Sequence, residues 1–302
     1  MRFGGHETFS IRSGWLYKGL SLAIENPDAF ARSDVSELLG VGKNMAKAIR
    51  HWLIASGLIE LEVSSTGKKI LRPSALGSLV WNGDRYFMFP GTWWAVHINL
   101  MHSNEHSYTW HWFFNHFGRI RFERPTCIES LKRYIAQSGE RMPSARTLDR
   151  DVACFLKSYA VQVPGELADP EESLDCPLRE LGLLVHSTQT GFFHLDDSLK
   201  SIPFELFSFA VDFAMERNKT LGSGKKIDLS LTEIANNPYM PGRVFSLNSE
   251  ATYELLTRYE SSGFLRLVNQ AGERLISMPR SERLKSLEAY YHRMSETVEA
   301  AA

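Results

Sequence analysis

Apolar positions between residues 43 and 56 recur with the period of a helix. Met45, Ile49 and Trp52 or Leu53 fall on one side, and Lys43, Lys47 and Arg50 gather on the opposite one. Gly57 follows at the position where a left-handed residue ends a helix. A shorter helix is expected before it, from Asp34 to Leu39, with Ser33 as its N-cap. Gly40-Val41-Gly42 makes the turn between the two. After Gly57 the period changes from helical to alternating. Leu58 to Val63 reads as a strand, Ser64 to Gly67 turns, and Lys68 to Arg72 returns. Short helix, glycine-containing turn, longer helix and hairpin is the order of a winged helix-turn-helix.

Similar orders recur downstream. A helix from Cys127 to Gln137 precedes one that starts at Pro143-Ser144 and runs to about Tyr159. Leu148, Val152, Phe155 and Tyr159 form the apolar side of the second, and Arg146, Arg150 and Lys157 lie opposite. Gly182 to His186 and Gly191 to Leu195 read as its hairpin, across a long acidic link, Gly165 to Asp175. A third set begins with a capping box at Ser230 and Glu233. It continues through a helix from Ser249 to Ser262 and a hairpin, Phe264 to Val268 and Glu273 to Ser277, turning at residues 269–272. An amphipathic helix of mixed charge, Ser281 to Glu299, ends the chain. The expected fold is mainly α with small β-hairpins (α+β), built from tandem winged-helix-type units. The expected divisions are residues 1–82, a signature segment plus the first unit; 83–200, an aromatic, His-rich helical segment plus the second; and 201–302, an acidic third unit with the tail helix.

Charge sharpens this picture. The 302 residues carry a net charge of −1, which alone argues against a strongly basic nucleic-acid binder. The distribution is uneven, however. Residues 1–160 hold 20 Lys and Arg against 14 Asp and Glu, whereas residues 161–302 hold 14 against 21. A basic front half suits a polyanion, and an acidic back half suits another task. The candidate DNA contacts are Lys43, Asn44, Lys47 and Arg50 on the recognition helix, Lys68 and Lys69 on the wing, and Arg146, Arg150 and Lys157 on the second cationic helix. The plainer alternative for each stripe is a solvated face. The third unit presents Glu250, Glu254 and Glu260 against Arg258, a surface that repels phosphate and suits a protein contact.

The N-terminus lacks the charged and apolar regions of a signal peptide, and no apolar run approaches the length of a membrane span. Cys127, Cys154 and Cys176 are widely spaced and form no CxxC pair, as expected of reduced thiols. A soluble, cytoplasmic protein is the expectation.

Two segments stand outside the winged-helix pattern. In Phe3-Gly4-Gly5-His6-Glu7-Thr8-Phe9-Ser10-Ile11-Arg12, paired glycines allow unusual turns and close approach. His6, Glu7 and Arg12 are acid–base, metal-ligand and phosphate-binding types. A capped turn leading into a helix at Gly14 is the simpler reading of the same residues. Trp93 to Phe117 holds His97, His102, His106, His111 and His116 among aromatic residues. Their spacing matches no metal signature, so buried helices with satisfied histidines are preferred to a metal site.

Several motifs resemble one bacterial family, long described as a domain of unknown function, of DNA phosphorothioation and phage-defence gene clusters. They are Phe3 to Phe9 with Arg12 and Gly14-Trp15-Leu16-Tyr17-Lys18, then Leu39 to Met45, Ile49 to Leu53 and Gly57-Leu58-Ile59. Trp93 to His97, Trp112 to Asn115, Asp175 to Leu178, Glu180 to Leu183, and Pro241-Gly242 with Phe245-Ser246-Leu247 extend the likeness over nearly the whole chain. The resemblance implies a component that binds double-stranded DNA and nicks one strand for sulfur insertion. It also implies work beside a sulfurtransferase of the PAPS-reductase type and an ATPase, without a membrane. It carries no catalytic residues over, and no PD-(D/E)xK or HNH motif stands out. If the chain nicks DNA, the best candidates are His6 or Glu7 as ligand of Mg²⁺ or Mn²⁺ or as general base, and Arg12 as holder of the scissile phosphate. A non-catalytic DNA-binding recruiter and a transcriptional regulator are the alternatives. A nickase needs the divalent metal, a recruiter needs none, and a regulator would ordinarily be a dimer on a palindrome, for which no zipper is visible.

Overall fold

Short helices alternate with three small sheets in the computed structural model, which describes residues 2–63, 69–163, 176–217, 226–270 and 273–301. The fold is α+β. The chain divides into two compact units, Met1–Phe113 with Arg121–His194, and Phe114–Ile120 with Leu195–Ala302.

In the first unit, α1 (Trp15–Glu25) packs against the helical pair α2 (Val35–Leu39) and α3 (Lys43–Ala55). Gly40 takes the left-handed turn between the pair, at φ 63°. The N-cap of α2 is Asp34 rather than Ser33, and its side chain makes no cap bond because Arg32 holds the carboxylate. Ala46, Ala48, Ile49, His51, Trp52, Leu53 and Ala55 form the buried side of α3. Met45, expected on that side, is half-buried instead. Gly57 follows at φ 71°. Strands β1 (Ile59–Val63) and β2 (Lys69–Pro73) pair antiparallel, Ile59 opposite Pro73 and Val63 opposite Lys69. The turn expected at Ser64 to Gly67 lies outside the described residues.

Ser74 then caps α4 (Ala75–Asp84), its hydroxyl accepting from the Gly77 amide at 2.9 Å. Gly77 is required here: a Cβ would sit 1.9 Å from the Leu58 carbonyl oxygen. Asp84 ends α4 and accepts from the Met88 and Phe89 amides and the Thr92 hydroxyl. Those bonds hold Phe87 at φ 57° and start α5 (Pro90–His102). From Gly91 to His102 every residue of α5 is buried, as expected of a helix surrounded by protein. Its His97 is satisfied by the Tyr159 hydroxyl at 2.8 Å. Helix α6 (Tyr108–Trp112) runs into a π turn, Phe113–Phe117. His111 bonds the Met101 carbonyl oxygen at 3.1 Å.

After the short strand β3 (Arg121–Phe122) come α7 (Arg124–Gln137) and α8 (Ala145–Tyr159), with Ser144 capping α8 through the Thr147 amide. The expected hairpin is present as β5 (Leu184–Ser187) and β6 (Phe193–Leu195). It is part of a larger sheet, however. Strand β4 (Ala160–Val163) follows α8 directly and pairs parallel to β5, giving the order β3-β6-β5-β4. The acidic link expected between α8 and the hairpin falls largely at 164–175, outside the described residues.

The second unit is built on α9 (Phe204–Arg217). Strand β7 (Lys226–Ser230) leads into α10 (Leu231–Asn236), whose capping box between Ser230 and Glu233 is complete. Helices α11 (Pro241–Val244) and α12 (Ser249–Ser261) follow. Strands β8 (Arg266–Gln270) and β9 (Glu273–Pro279) then close an antiparallel sheet ordered β7-β9-β8. The tail helix α13 (Arg283–Ala301) packs on α9, with Arg293 bidentate to Glu205 and Ser286 bonded to Ser208. Residues 271–272 of the expected turn lie outside the described residues. No helix of the described residues is long and apolar enough to cross a membrane.

Candidate nucleic-acid interface

The outer side of α3 is the first element of the site. Lys43, Asn44 and Lys47 are exposed and Arg50 is half-buried, one helical turn after another. On α8, Arg146, Arg150 and Lys157 are exposed as a second row. Lys68 lies outside the described residues, as does the side chain of Lys69.

The N-terminal loop is bound to the same helix. Three of its residues adopt left-handed backbone: Gly4 at φ 70°, Glu7 at φ 50° and Thr8 at φ 71°. For Glu7 and the β-branched Thr8 that conformation costs about 1–3 kcal/mol each, and such strain persists only where neighbours over-determine it. Here the neighbours are visible. Asp151 of α8, 2% exposed, accepts from the Gly4 amide at 2.7 Å, from His6 Nε2 at 2.8 Å and from the Thr109 hydroxyl at 2.6 Å. The Thr8 amide donates to His6 Nδ1 at 3.0 Å, which fixes the neutral tautomer with its proton on Nε2. The Trp52 indole of α3 donates to the Phe9 carbonyl oxygen at 3.0 Å.

These contacts distinguish the three candidate catalytic residues. His6 is 2% exposed, stacks on Trp52 and has both nitrogens engaged. In this conformation it presents no lone pair to an outside ligand and orients the loop instead. Glu7 is half-buried, with a carboxylate oxygen 3.6 Å from Lys47 Nζ, so the strained loop delivers it to the cationic side of α3. Lys47 also reaches the Asn44 side-chain oxygen at 3.4 Å. The structure thus brings Glu7, Asn44 and Lys47 together. Arg12 is half-buried, its guanidinium over the Phe9 and Trp15 rings at 5.6 and 5.5 Å.

A further group gathers beside the loop. A Cβ on Gly5 would lie 2.5 Å from His51 Nδ1 and 3.2 Å from Arg2 Nε, so only glycine lets the loop pass under both side chains. His51 is 4% exposed, and its Nε2 has no hydrogen-bond partner among the described residues. Burial, then the nearby His6, Arg2, His106 and Arg50, hold the His51 imidazole neutral, with its pKa pushed down to about 3. His106, on the α5–α6 connection, is lowered chiefly by burial, with Glu105 opposing. Arg2, His51, Asp151 and Thr109 were not singled out in the sequence. Asp151 carries a signal: it falls between Leu148 and Phe155 on the apolar side of α8.

Among the described residues, no three metal-ligating side chains converge. Mg²⁺ characteristically takes one or two carboxylates and completes its shell with water and substrate phosphates. Glu7 is the one candidate carboxylate at the cationic surface that fits such a role.

The sequence matches, over residues 3–291, a family described as a protein of unknown function, DUF4007. No curated protein matches the chain. Among similar solved structures are two of SspB. A magnesium-ion-bound SspB crystal structure has a TM-score of 0.83 and 26% identity, with 96% of this chain and 88% of that chain covered. A second SspB crystal structure has a TM-score of 0.81 at the same identity and coverage.

Proposed function

The chain belongs to the DUF4007 family, and we propose from that premise that it is the DNA-binding component of a DNA phosphorothioation and phage-defence system. The observation that carries the reading is the outer side of α3, where Lys43, Asn44 and Lys47 form an exposed row continued by the half-buried Arg50, beside the β1–β2 hairpin. As a winged helix, α3 enters the major groove and the hairpin lies along the backbone. Arg146, Arg150 and Lys157 of α8 add phosphate contacts. The second unit runs helix, strand, helices and hairpin, and its acidic α12 suits a protein partner such as the sulfurtransferase or ATPase of the system.

The proposed reaction is nicking of one strand. Glu7 stands where the groove-facing helix meets the strained loop, and the similarity to a magnesium-ion-bound structure supports Mg²⁺ as its ion. When bound, the ion would supply charge stabilisation at the phosphate while water adds to phosphorus and the P–O bond to the departing strand oxygen breaks. The residues of this chain hold and position the groups. Lys47, itself bonded to Asn44, orients Glu7, Arg12 holds a neighbouring phosphate, and His6 positions the loop through Asp151.

The test is relaxation of supercoiled plasmid with Mg²⁺ or Mn²⁺, run beside duplex binding. Glu7→Gln should abolish open-circle product while leaving affinity within about twofold, an effect worth under 0.5 kcal/mol. Lys43→Gln/Lys47→Gln should lower affinity and flatten its salt dependence by about two logarithmic units of slope. Wild-type protein that binds but never nicks would remove the enzymatic half and leave a recruiting subunit.

A further inference from the structure

We propose that Tyr17, Trp81 and Tyr86, flanked by Lys18 and Arg85, form a platform on which an unpaired base of single-stranded DNA stacks. The proposal rests on the reading of the chain as a DNA-binding protein, and it needs neither α3 nor the candidate nicking residues.

The rings meet on the surface of the first unit. Tyr17 of α1 lies parallel to Trp81 of α4, with 5.9 Å between centroids and 5° between planes. Tyr86, just after α4, adjoins Tyr17 at 5.1 Å and 45°. Arg85 sets its guanidinium 5.1 Å from the Trp81 ring centroid. Tyr17 and Trp81 are half-buried, whereas Tyr86 is 61% exposed. Ile24, two turns past Tyr17 on the same side of α1, is exposed as well.

The connection that carries Tyr86 is built to hold it outward. The Asp84 carboxylate accepts from the Met88 and Phe89 amides at 2.8 and 2.9 Å, and the Trp93 indole donates to the Phe87 carbonyl oxygen at 3.0 Å. Phe87 is thereby pinned inside at φ 57°, a left-handed backbone that a bulky residue adopts only where its neighbours impose it. Tyr86 and Met88, on either side of it, face solvent. A fixed turn that displays large side chains beside two stacked rings marks a contact surface.

Charge decides the occupant. Lys18 follows Tyr17 and Arg85 precedes Tyr86. Both are exposed, and neither forms an ion pair among the described residues. The carboxylate of α1, Glu25, stands about 12 Å along the helix from Tyr17 and is bonded by the Ser21 hydroxyl. The Asp84 carboxylate is spent on its own turn. Rings beside unpaired cations suit a base and its phosphate together, the ring face stacking while the guanidinium and ammonium meet the backbone. The base must be unpaired, because a base inside a duplex is already stacked on its neighbours.

The experiment compares three probes with full-length protein by fluorescence anisotropy: a labelled oligothymidylate, an abasic strand of the same length and charge, and a duplex of the same length. Oligothymidylate should bind about tenfold more tightly than the abasic strand, the worth of one stacked base. Tyr86→Ala alters an exposed side chain and should keep the thermal midpoint yet remove that preference, whereas Tyr86→Phe should retain it. Arg85→Gln should weaken both single strands and flatten their salt dependence by about 0.7 logarithmic units of slope. Ultraviolet cross-linking of an iodouracil-substituted strand should attach it at Tyr17, Trp81 or Tyr86. Undetectable single-strand binding, equal affinity for the thymidylate and abasic strands, a preference that survives Tyr86→Ala, or cross-links mapping elsewhere overturns the proposal. If the base preference is absent and Tyr86→Ala instead abolishes self-association in sedimentation, the patch is a contact between copies of the chain and the proposal falls. If duplex affinity ignores Lys43→Gln/Lys47→Gln while the base preference persists, the α3 reading fails and the platform stands.

Discussion

Replacing Asp151 removes the buried carboxylate that ties the N-terminal loop to α8 and, through Thr109, to α6. Its carboxylate, 2% exposed, accepts from the Gly4 amide, His6 Nε2 and the Thr109 hydroxyl at 2.7, 2.8 and 2.6 Å. Asp151→Ala leaves two buried donors and the half-buried Gly4 amide without an acceptor. An unsatisfied buried donor costs about 1–3 kcal/mol, and the Thr109 hydroxyl can turn toward another partner, so a total of about 3–5 kcal/mol is expected. Asp151→Asn is gentler. Its carbonyl oxygen can still accept from Gly4 and His6, and its NH₂ can donate to a reoriented Thr109 hydroxyl. What it loses is the charge assistance, about 1–2 kcal/mol. All seven tryptophans lie in the unit that contains the loop, so urea unfolding followed by tryptophan emission reports on that unit. Trypsin should also cut the alanine variant faster at Arg2 and Arg12. An alanine cost below about 1 kcal/mol, or an asparagine variant as damaged as the alanine one, would refute the assignment of Asp151 as the loop's anchor.

Other expectations follow from single features. Gly77→Ala forces a Cβ to 1.9 Å from the Leu58 carbonyl oxygen and should cost about 1–3 kcal/mol in the same unfolding assay. In the second unit, burial pushes the Asp212 carboxyl up to about 6, against relief from the Ser208 hydroxyl and the Ser281 amide. The folded state therefore holds a proton that the unfolded chain releases above about pH 4. The associated stability is full below that value and lost as pH rises through about 6, an effect of about 2–3 kcal/mol. Calorimetry of Asp212→Asn should show its advantage over wild type growing from pH 4.5 to 7.5; a constant difference would exclude the linkage. Cys127, Cys154 and Cys176 are buried, and burial raises all three thiols, Cys127 and Cys176 to about 12. Ellman's reagent should label the native protein no faster than it unfolds.

Local structure was largely readable because its causes are local. The capping box at Ser230, the glycine after α3 and the alternation of β1 each act within a few residues. Strand β4 was not read, because Ala160 to Val163 continues α8 without a turn signal and pairs with a strand some twenty residues on, parallel rather than as a hairpin. At the candidate site, composition marked Glu7 and Lys47 separately, and only the fold sets them 3.6 Å apart. His6 was readable as chemically capable. What decides its role is Asp151, 145 residues away, whose position on an apolar helical side is visible in the sequence but whose partner is not. Arg2 is one cation near a chain end, and nothing local distinguishes it until His51 and Gly5 come under it.

The N-terminal loop and α3 work as one body for a physical reason. The Trp52 indole bonds Phe9, Lys47 meets Glu7, and His51 covers Gly5, so two successive turns of α3 hold three parts of the loop. A loop so held cannot relax the left-handed Glu7 and Thr8 without breaking ties to the helix proposed to face DNA. Simple stability would be served by a sequence without that strain, since the cost of two non-glycine residues at positive φ must be offset by buried bonds elsewhere. Retaining the strain makes sense if the exact placement of Glu7 relative to α3 matters more than the energy lost. Asp151→Asn separates the two demands. It should leave the cations of α3 exposed and duplex binding nearly intact, while loosening the loop enough to slow nicking of supercoiled plasmid. A variant that binds DNA normally and nicks as fast as wild type would mean that the loop needs no anchor to do its work.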